Sequence, residues 1–223
     1  MTVRHQVSVT ALRTIPMFQG LEADRLEVIA SHATLRRVAR GLTVVQAGDA
    51  IDNVYFVLNG GLKVIVSDED GREVILTLLG QGDVFGEMGV VDTAPRSATV
   101  TAVAASDLVV ISQADFRRIL ADNFELCLRI MCKLAERLRA ADRKIESLAL
   151  MDVYGRVARL LLDMAETREG RSIVRRKISK QDIAKMIGAS REMVSRVMKD
   201  LHAQGLLEDT PDGLLLRVTA APA

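Results

Sequence analysis

The sequence is short of several things, and each shortage excludes something. Its two cysteines, Cys127 and Cys132, are too few for a disulfide framework and lack the spacing of a metal site, so both read as small apolar residues to be buried. Its formal net charge is only +1, so any basic surface for nucleic acid must be local. Nowhere do about 18 apolar residues run uninterrupted. The opening MTVRHQVSVT also lacks the apolar run of a secretory signal, which together predicts a soluble, cytoplasmic protein with no membrane partner. There is no nucleophile with a partnered base, no cluster at metal spacing and no Walker-type phosphate loop, so an enzyme is not expected.

What is plentiful is apolar side chain, 49% of 223 residues, which suits two small domains. Residues 10–32 carry a helical pattern broken early by Pro16 and Gly20. From Ala33 the period shortens to that of strands. ATLRRVA, LTVVQ, NVYFVLNG, GLKVIVSD, REVILTLL, SATVTAV and SDLVVIS are short, rich in Val and Ile, and punctuated by turns such as Asn59-Gly60-Gly61 and Asp70-Gly71. With no long helix among them, they predict an antiparallel barrel or double-sheet roll, closed by a short helix over 115–121.

The stretch 123–150, NFELCLRIMCKLAERLRAADRKIESLAL, contains neither Pro nor Gly. Cys127, Met131, Leu134, Leu138, Ala141, Ile145 and Leu148 recur along it at alternating spacings of four and three, the repeat that keeps a stripe turned toward a partner helix. Arg129, Lys133, Arg137, Asp142 and their charged neighbours fill the remaining positions and read as a solvated outer face. The pattern predicts a dimerisation helix.

Within the strand block, residues 85–100, FGEMGVVDTAPRSATV, break the rhythm: Gly86-Glu87-Met88-Gly89 follows a strand, then comes a brief helical turn, and Arg96-Ser97-Ala98 opens the next strand. Such a loop can hold a cyclised sugar phosphate. Backbone N–H groups beside Gly86 point at the anion, Arg96 brings charge and a planar fork, and Glu87 accepts from a ribose hydroxyl. The plain alternative is a surface turn in which Glu87 and Arg96 pair with each other.

After the long helix, Asp152 caps an amphipathic helix over 152–166 with Val153, Val157, Leu160, Leu161 and Met164 on one stripe. Residues 168–177 read as a basic loop with a short strand at SIV. In ISKQDIAKMIGASREMVSRVMKDLHAQGLLE, residues 178–208, Ser179 caps one helix, Gly188 makes a turn, and Ser190 caps a second. Val194, Val197, Met198 and Leu201 form the buried stripe of that second helix, leaving Arg191, Glu192, Ser195, Arg196 and Lys199 outside. This is the pattern of a helix-turn-helix with its recognition helix, completed as a winged domain by the strands LLED and LLLRV around Pro211-Asp212-Gly213. From 171 to 199, Arg171, Arg175, Arg176, Lys177, Lys180, Lys185, Arg191, Arg196 and Lys199 face only Asp182 and Glu192 in charge, a local positive end for phosphate backbone.

GEM-G-VV-DTAP-RSA resembles the phosphate-binding cassette of cyclic-nucleotide-binding domains, and the glycine pattern before it is similar to theirs. With the long helix and the winged domain, nearly the whole chain resembles the bacterial family of the cyclic-AMP receptor protein and the fumarate and nitrate reduction regulator. The resemblance implies Gly86, Glu87, Met88, Arg96 and Ser97 at the ligand, with Glu87 on the ribose 2′-hydroxyl and Arg96 and Ser97 on the phosphate. It implies Ser179, Lys180, Ser190, Arg191, Glu192, Ser195, Arg196 and Lys199 at DNA. The triplet Arg191, Glu192 and Arg196 is similar to that of the branch that reads TGTGA-type half-sites, with Arg forks on guanine and Glu on cytosine N4. Ser195 is more like the oxygen-sensor branch, which leaves the outer base open.

The chain also departs from the pattern. Residues 1–30 hold no cysteine for an iron–sulfur cluster, and His5, His32 and His202 lie outside the predicted barrel strands, as exposed side chains rather than haem ligands. Where the cyclic-AMP receptor touches adenine with a Thr-Ser pair, this chain has Ala141 and Asp142. Asp142 can accept from adenine N6 or from guanine N1–H and N2–H₂, or stand outside the seam. The expectation is an α+β protein: residues 1–122 an N-terminal cyclic-nucleotide-binding β-roll, 123–150 the dimerisation helix, 151–223 a C-terminal winged helix-turn-helix. It should act as a homodimeric transcription regulator of palindromic DNA, with no prosthetic cofactor, cyclic AMP the favoured effector and RNA polymerase a further partner the family admits. The alternatives are cyclic GMP, cyclic di-GMP or no nucleotide at all, or, from another class, a nucleotide-binding module that controls a protein partner.

Overall fold

Neighbouring residues on a strand face opposite sides, so a run that is apolar at every position needs a core on both sides. The computed structural model describes residues 5–50, 52–92, 94–168, 170–175 and 178–217. Its first elements are β1 (His5–Gln6), α1 (Val9–Arg13), a 3-10 turn (Pro16–Phe18), α2 (Ala23–His32), β2 (Ala33–Val38), β3 (Thr43–Val45), β4 (Asn53–Asn59), β5 (Leu62–Ser67), β6 (Glu73–Leu79) and β7 (Val84–Phe85). Then follow α3 (Met88–Asp92), β8 (Thr99–Ala102), β9 (Ser106–Ser112), α4 (Gln113–Ala121) and α5 (Phe124–Leu150). The strands form two antiparallel sheets, one in the order β1-β2-β9-β4-β7 and the other β3-β8-β5-β6. On β4, Val54 and Phe56 join a core with α1, α2, α4 and the start of α5, while Tyr55 and Val57 join a second core with residues of the other sheet. That double burial is why the run VYFV has no polar break, and why the block is a two-layer roll with helices on one side.

The chain divides into two compact units, Met1–Arg137 and Leu138–Ala223. In the second, the end of α5 is followed by α6 (Val153–Met164), β10 (Glu166–Arg168), β11 (Arg171–Val174), α7 (Lys180–Ile187), α8 (Arg191–Ala203), β12 (Leu207–Thr210) and β13 (Gly213–Leu216). Val157, Leu161, Ile183, Val194, Leu201 and Leu216 share its core. The order β10-β11-β13-β12 sets a four-stranded sheet beside the helices. Each helix start has its cap: Asp152 accepts from Gly155 N, Ser179 from Asp182 N and Ser190 from Met193 N. Gly188 sits at φ 64° to end α7, a left-handed conformation that costs a residue with a β-carbon about 1–2 kcal/mol.

Several details differ from the sequence reading. The N-terminal helical pattern resolves into α1, a 3-10 turn and α2, since Pro16 has no N–H for a continuous helix. His5 falls in β1, paired with β2, rather than outside the strands. His202 is half-buried, its Nδ1–H donating to Met198 O at 2.7 Å, the tautomer a carbonyl partner requires. Of the two cysteines only Cys127 is even half-buried, and Cys132 is exposed. The strand expected from Ser97 begins at Thr99, because the turn before β4 takes the preceding backbone: Gly48 N donates to Arg96 O at 2.8 Å and Arg96 N to Asp49 O at 2.9 Å. The helix expected to reach residue 166 ends at Met164, and the basic loop expected over 168–177 is entered through a hairpin in which β10, from Glu166, pairs with β11. Arg176, Lys177 and Val218 lie outside the described residues. Among those described, no helix is long and apolar enough to cross a membrane.

Candidate effector pocket and nucleic-acid interface

Gly86 ends β7 at φ 82°, and a β-carbon there would run into Arg96 Nη1, so only glycine lets the cassette pass this close to the guanidinium. Glu87 follows and is 1% exposed; Arg96 is 8% exposed. They do not pair with each other. Arg96 Nη2 donates to Asn53 O at 2.6 Å and meets Asp52 Oδ1 at 3.3 Å, while Nη1 donates to Gly86 O at 3.2 Å and the guanidinium lies 5.9 Å from the Tyr55 ring centroid. Glu87 Oε1 accepts from Arg137 Nη1, and Arg137 Nη2 donates to Val84 O. Glu87 Oε2 is buried and finds no donor among the described residues. Burial pushes the Glu87 carboxyl above its ordinary value, against the pull of Arg137, its own backbone N–H and Arg96. Met88 and Ser97 are exposed beside this pair. Gly86, Glu87, Met88 and Arg96 are thus gathered at one place, with Ser97 next along the chain.

Arg137, expected on a solvated face, instead bonds Glu87 and Val84 O. Arg129, Lys133 and Arg137 recur every four residues on α5, and all three reach residues earlier in the same N-terminal unit. Arg129 Nη1 donates to Gln19 O at 2.6 Å and Met17 O at 3.0 Å, and Lys133 Nζ lies 3.5 Å from Asp83 Oδ1. Three cations at helical spacing were the available signal; what they face was not visible.

The predicted seam stands open within one chain. Leu138 is 64% exposed and Ile145 65%, Met131 and Leu148 are also exposed, and Cys127 and Leu134 are half-buried. The α5 residues buried in their own core are Leu126 and Ile130. Ala141 and Asp142 are exposed on the same helix.

On the C-terminal unit, Ser190, Arg191, Glu192, Arg196 and Lys199 are exposed along α8, with Ser195 half-buried. Ser179 and Lys180 are exposed at the start of α7, and Lys180 Nζ donates to Ser195 Oγ at 3.3 Å, linking the two helices. Glu192 is held as a carboxylate below its ordinary range by its own backbone N–H and the Ser190 hydroxyl. Among the described residues neither Arg196 nor Lys199 has an ion-pair partner, and no three His, Cys, Asp or Glu side chains converge on a metal site.

Comparison with known proteins agrees with both halves. Residues 35–123 match the cyclic nucleotide-binding domain, and residues 155–220 match the Crp-like helix-turn-helix domain. The cAMP-activated global transcriptional regulator Vfr of Pseudomonas aeruginosa is 36% identical over 189 residues, 82% of this chain and 88% of its own. The cAMP-activated global transcriptional regulator CRP of Escherichia coli is 33% identical, with 82% of this chain and 89% of its own covered. Among solved structures, the c-di-GMP responsive global regulator CLP of Xanthomonas campestris is 30% identical with a TM-score of 0.72, covering 89% of this chain and 100% of that one. FixK2 of Bradyrhizobium japonicum, 23% identical with a TM-score of 0.73 over 86% of this chain and 99% of its own, shares the fold. Vfr and CRP are transcriptional regulators by name, and the chain belongs to their family, the bacterial transcription regulators of the cyclic-AMP receptor protein and fumarate and nitrate reduction regulator type.

Proposed function

We propose that the protein is a homodimeric, sequence-specific DNA-binding regulator of the cytoplasm whose effector is cyclic AMP. In this reading residues 1–122 bind the nucleotide, 123–150 pair two subunits, and 151–223 bind DNA and are presented to RNA polymerase. The observation that carries it is Glu87: one carboxylate oxygen is pinned by Arg137 while the other, buried, has no donor, which is what a ribose hydroxyl supplies. Arg96 takes the cyclic phosphate in exchange for its contact with Asp52, with Ser97 beside it. The exposed stripe of Met131, Leu138, Ile145 and Leu148 suits a second copy of α5. Two-fold symmetry then pairs two α8 helices with a palindrome of TGTGA-like half-sites, read by Arg191, Glu192 and Arg196.

A second reading has a specific motive. Ala141 brings no hydrogen-bonding side chain to a base and Asp142 accepts only, and a 30%-identical structure is that of a regulator responsive to c-di-GMP. A thermal-shift panel of cyclic AMP, cyclic GMP and cyclic di-GMP separates the readings, since a ligand at 100 times its dissociation constant adds about 2.7 kcal/mol to stability. Cyclic AMP should give the largest shift. A shift with cyclic di-GMP alone selects the second reading, and none with any of the three sinks both. Pairing is checked by sedimentation of Leu138→Asp/Ile145→Asp, which should be monomeric with its subunit cores intact; a dimer as tight as wild type removes α5 from the interface.

A further inference from the structure

α3 is five residues long, too short to hold its own shape. α4 holds the carbonyls of two of its residues. Gln113 Nε2 donates to Gly89 O at 2.8 Å, and Arg117 donates twice to Val90 O, from Nε at 2.9 Å and from Nη2 at 2.7 Å. The Val90 side chain also enters the core that holds Phe116 and Ile119 of α4.

α4 then turns into α5 through Asn123, which is buried and fully engaged. Its Nδ2 donates to Ile119 O at 2.7 Å, its Oδ1 accepts from Arg25 Nη1 at 2.9 Å, and its backbone O accepts from Leu126 N at 3.0 Å. This elbow is thus held by side-chain as well as backbone hydrogen bonds. One stretch of chain therefore grips the cassette at two points: Gln113 and Arg117 hold the carbonyls of α3, and Arg137 holds Glu87 just before it. A body held at one point can pivot; held at two, it passes on both its displacement and its rotation.

We propose that Gln113 and Arg117 are positioning residues that couple the effector pocket to α5, by passing the movement of α3 on nucleotide binding through α4 to the foot of the long helix. This rests on the reading that nucleotide occupancy changes DNA affinity. Neither side chain need touch the nucleotide, so binding and response should come apart when they are removed.

The test compares full-length wild type with Gln113→Ala/Arg117→Met. Three quantities are measured: nucleotide affinity by calorimetry, DNA affinity with and without saturating cyclic AMP and in parallel cyclic di-GMP, and amide hydrogen exchange over 88–92. Coupling predicts nucleotide affinity within about threefold of wild type, faster exchange in α3, and a nucleotide-induced gain in DNA affinity cut by about tenfold or more. Arg117→Lys, which keeps one donor for Val90 O, should restore most of the gain, a recovery that a general loss of stability does not give. A double variant that retains the wild-type gain overturns the proposal, whether or not α3 exchanges faster. A wild type without any nucleotide-dependent gain overturns the functional reading, and the coupling role falls with it.

Discussion

In the N-terminal unit the charges at the candidate pocket are buried and already engaged: Glu87 with Arg137, and Arg96 with Asp52 and the carbonyls of Asn53 and Gly86. In the C-terminal unit Arg191, Arg196 and Lys199 stand in solvent along α8, while the apolar side of that helix alone enters the core. In the proposed reading, the difference follows from what each surface meets. A small anion must be stripped of water and enclosed, so its binding groups are built into the fold and need partners of their own whenever it is absent. A duplex is met on an open face, and its readers need only be carried on a rigid helix. Pocket charges should therefore show in stability as well as in binding, and recognition charges in binding alone.

The sharpest way to break that contrast is Arg96→Ala. It would remove the proposed charge-assisted contact to the phosphate, each such bond being worth about 1.5–3 kcal/mol, and leaves Gly86 O and Asn53 O without their donor at about 1–3 kcal/mol. Calorimetry should show nucleotide affinity reduced by about 10-fold to more than 100-fold, and denaturant unfolding should show the stability loss alongside. Unchanged affinity would remove Arg96 from the pocket; unchanged stability would mean that its present partners are incidental. Arg196→Ala comes next, with discrimination at one base pair weakened by about 1–3 kcal/mol in a binding-site profile and the unfolding midpoint nearly unmoved, within about 0.5 kcal/mol. A profile unaltered at every position excludes Arg196 as a reader.

The smallest effect is on pH dependence. Because burial raises the Glu87 carboxyl above its ordinary 4.5, the folded chain keeps a proton that the unfolded chain has released. Stability linked to this group is fully present below 4.5 and is lost as pH rises through the raised value. The stability of wild type relative to Glu87→Gln should accordingly decline as pH climbs from 4 toward neutrality. A difference that is flat with pH refutes the shift.

Much of the fold could be read from the chain because each signal was local. The shift from helical to strand period at Ala33 is there in β2, and Ser179, Ser190 and Asp152 cap helices where a short oxygen-bearing side chain precedes an apolar repeat. What escaped depended on the far side of a contact. Arg129, Lys133 and Arg137 form a four-residue repeat that looks the same whether it faces water or a protein surface. Their partners, the carbonyls of Met17 and Gln19 and the carboxylates of Asp83 and Glu87, lie far back in the sequence. The same holds for Arg117, whose reach to Val90 O has no pattern in the chain. The β10 strand Glu166-Thr167-Arg168 was missed for another reason, having no apolar alternation to announce it.

Cys132 stands exposed on α5 while the Cys127 thiol donates to Leu120 O at 3.2 Å. The molecule thus carries a native attachment point one residue from Met131 of the open stripe. A nitroxide or fluorophore placed there by thiol chemistry needs no cysteine introduced by mutation. With it, the proposed association of two copies would become a distance that a spectrometer can follow as nucleotide and DNA are added in turn.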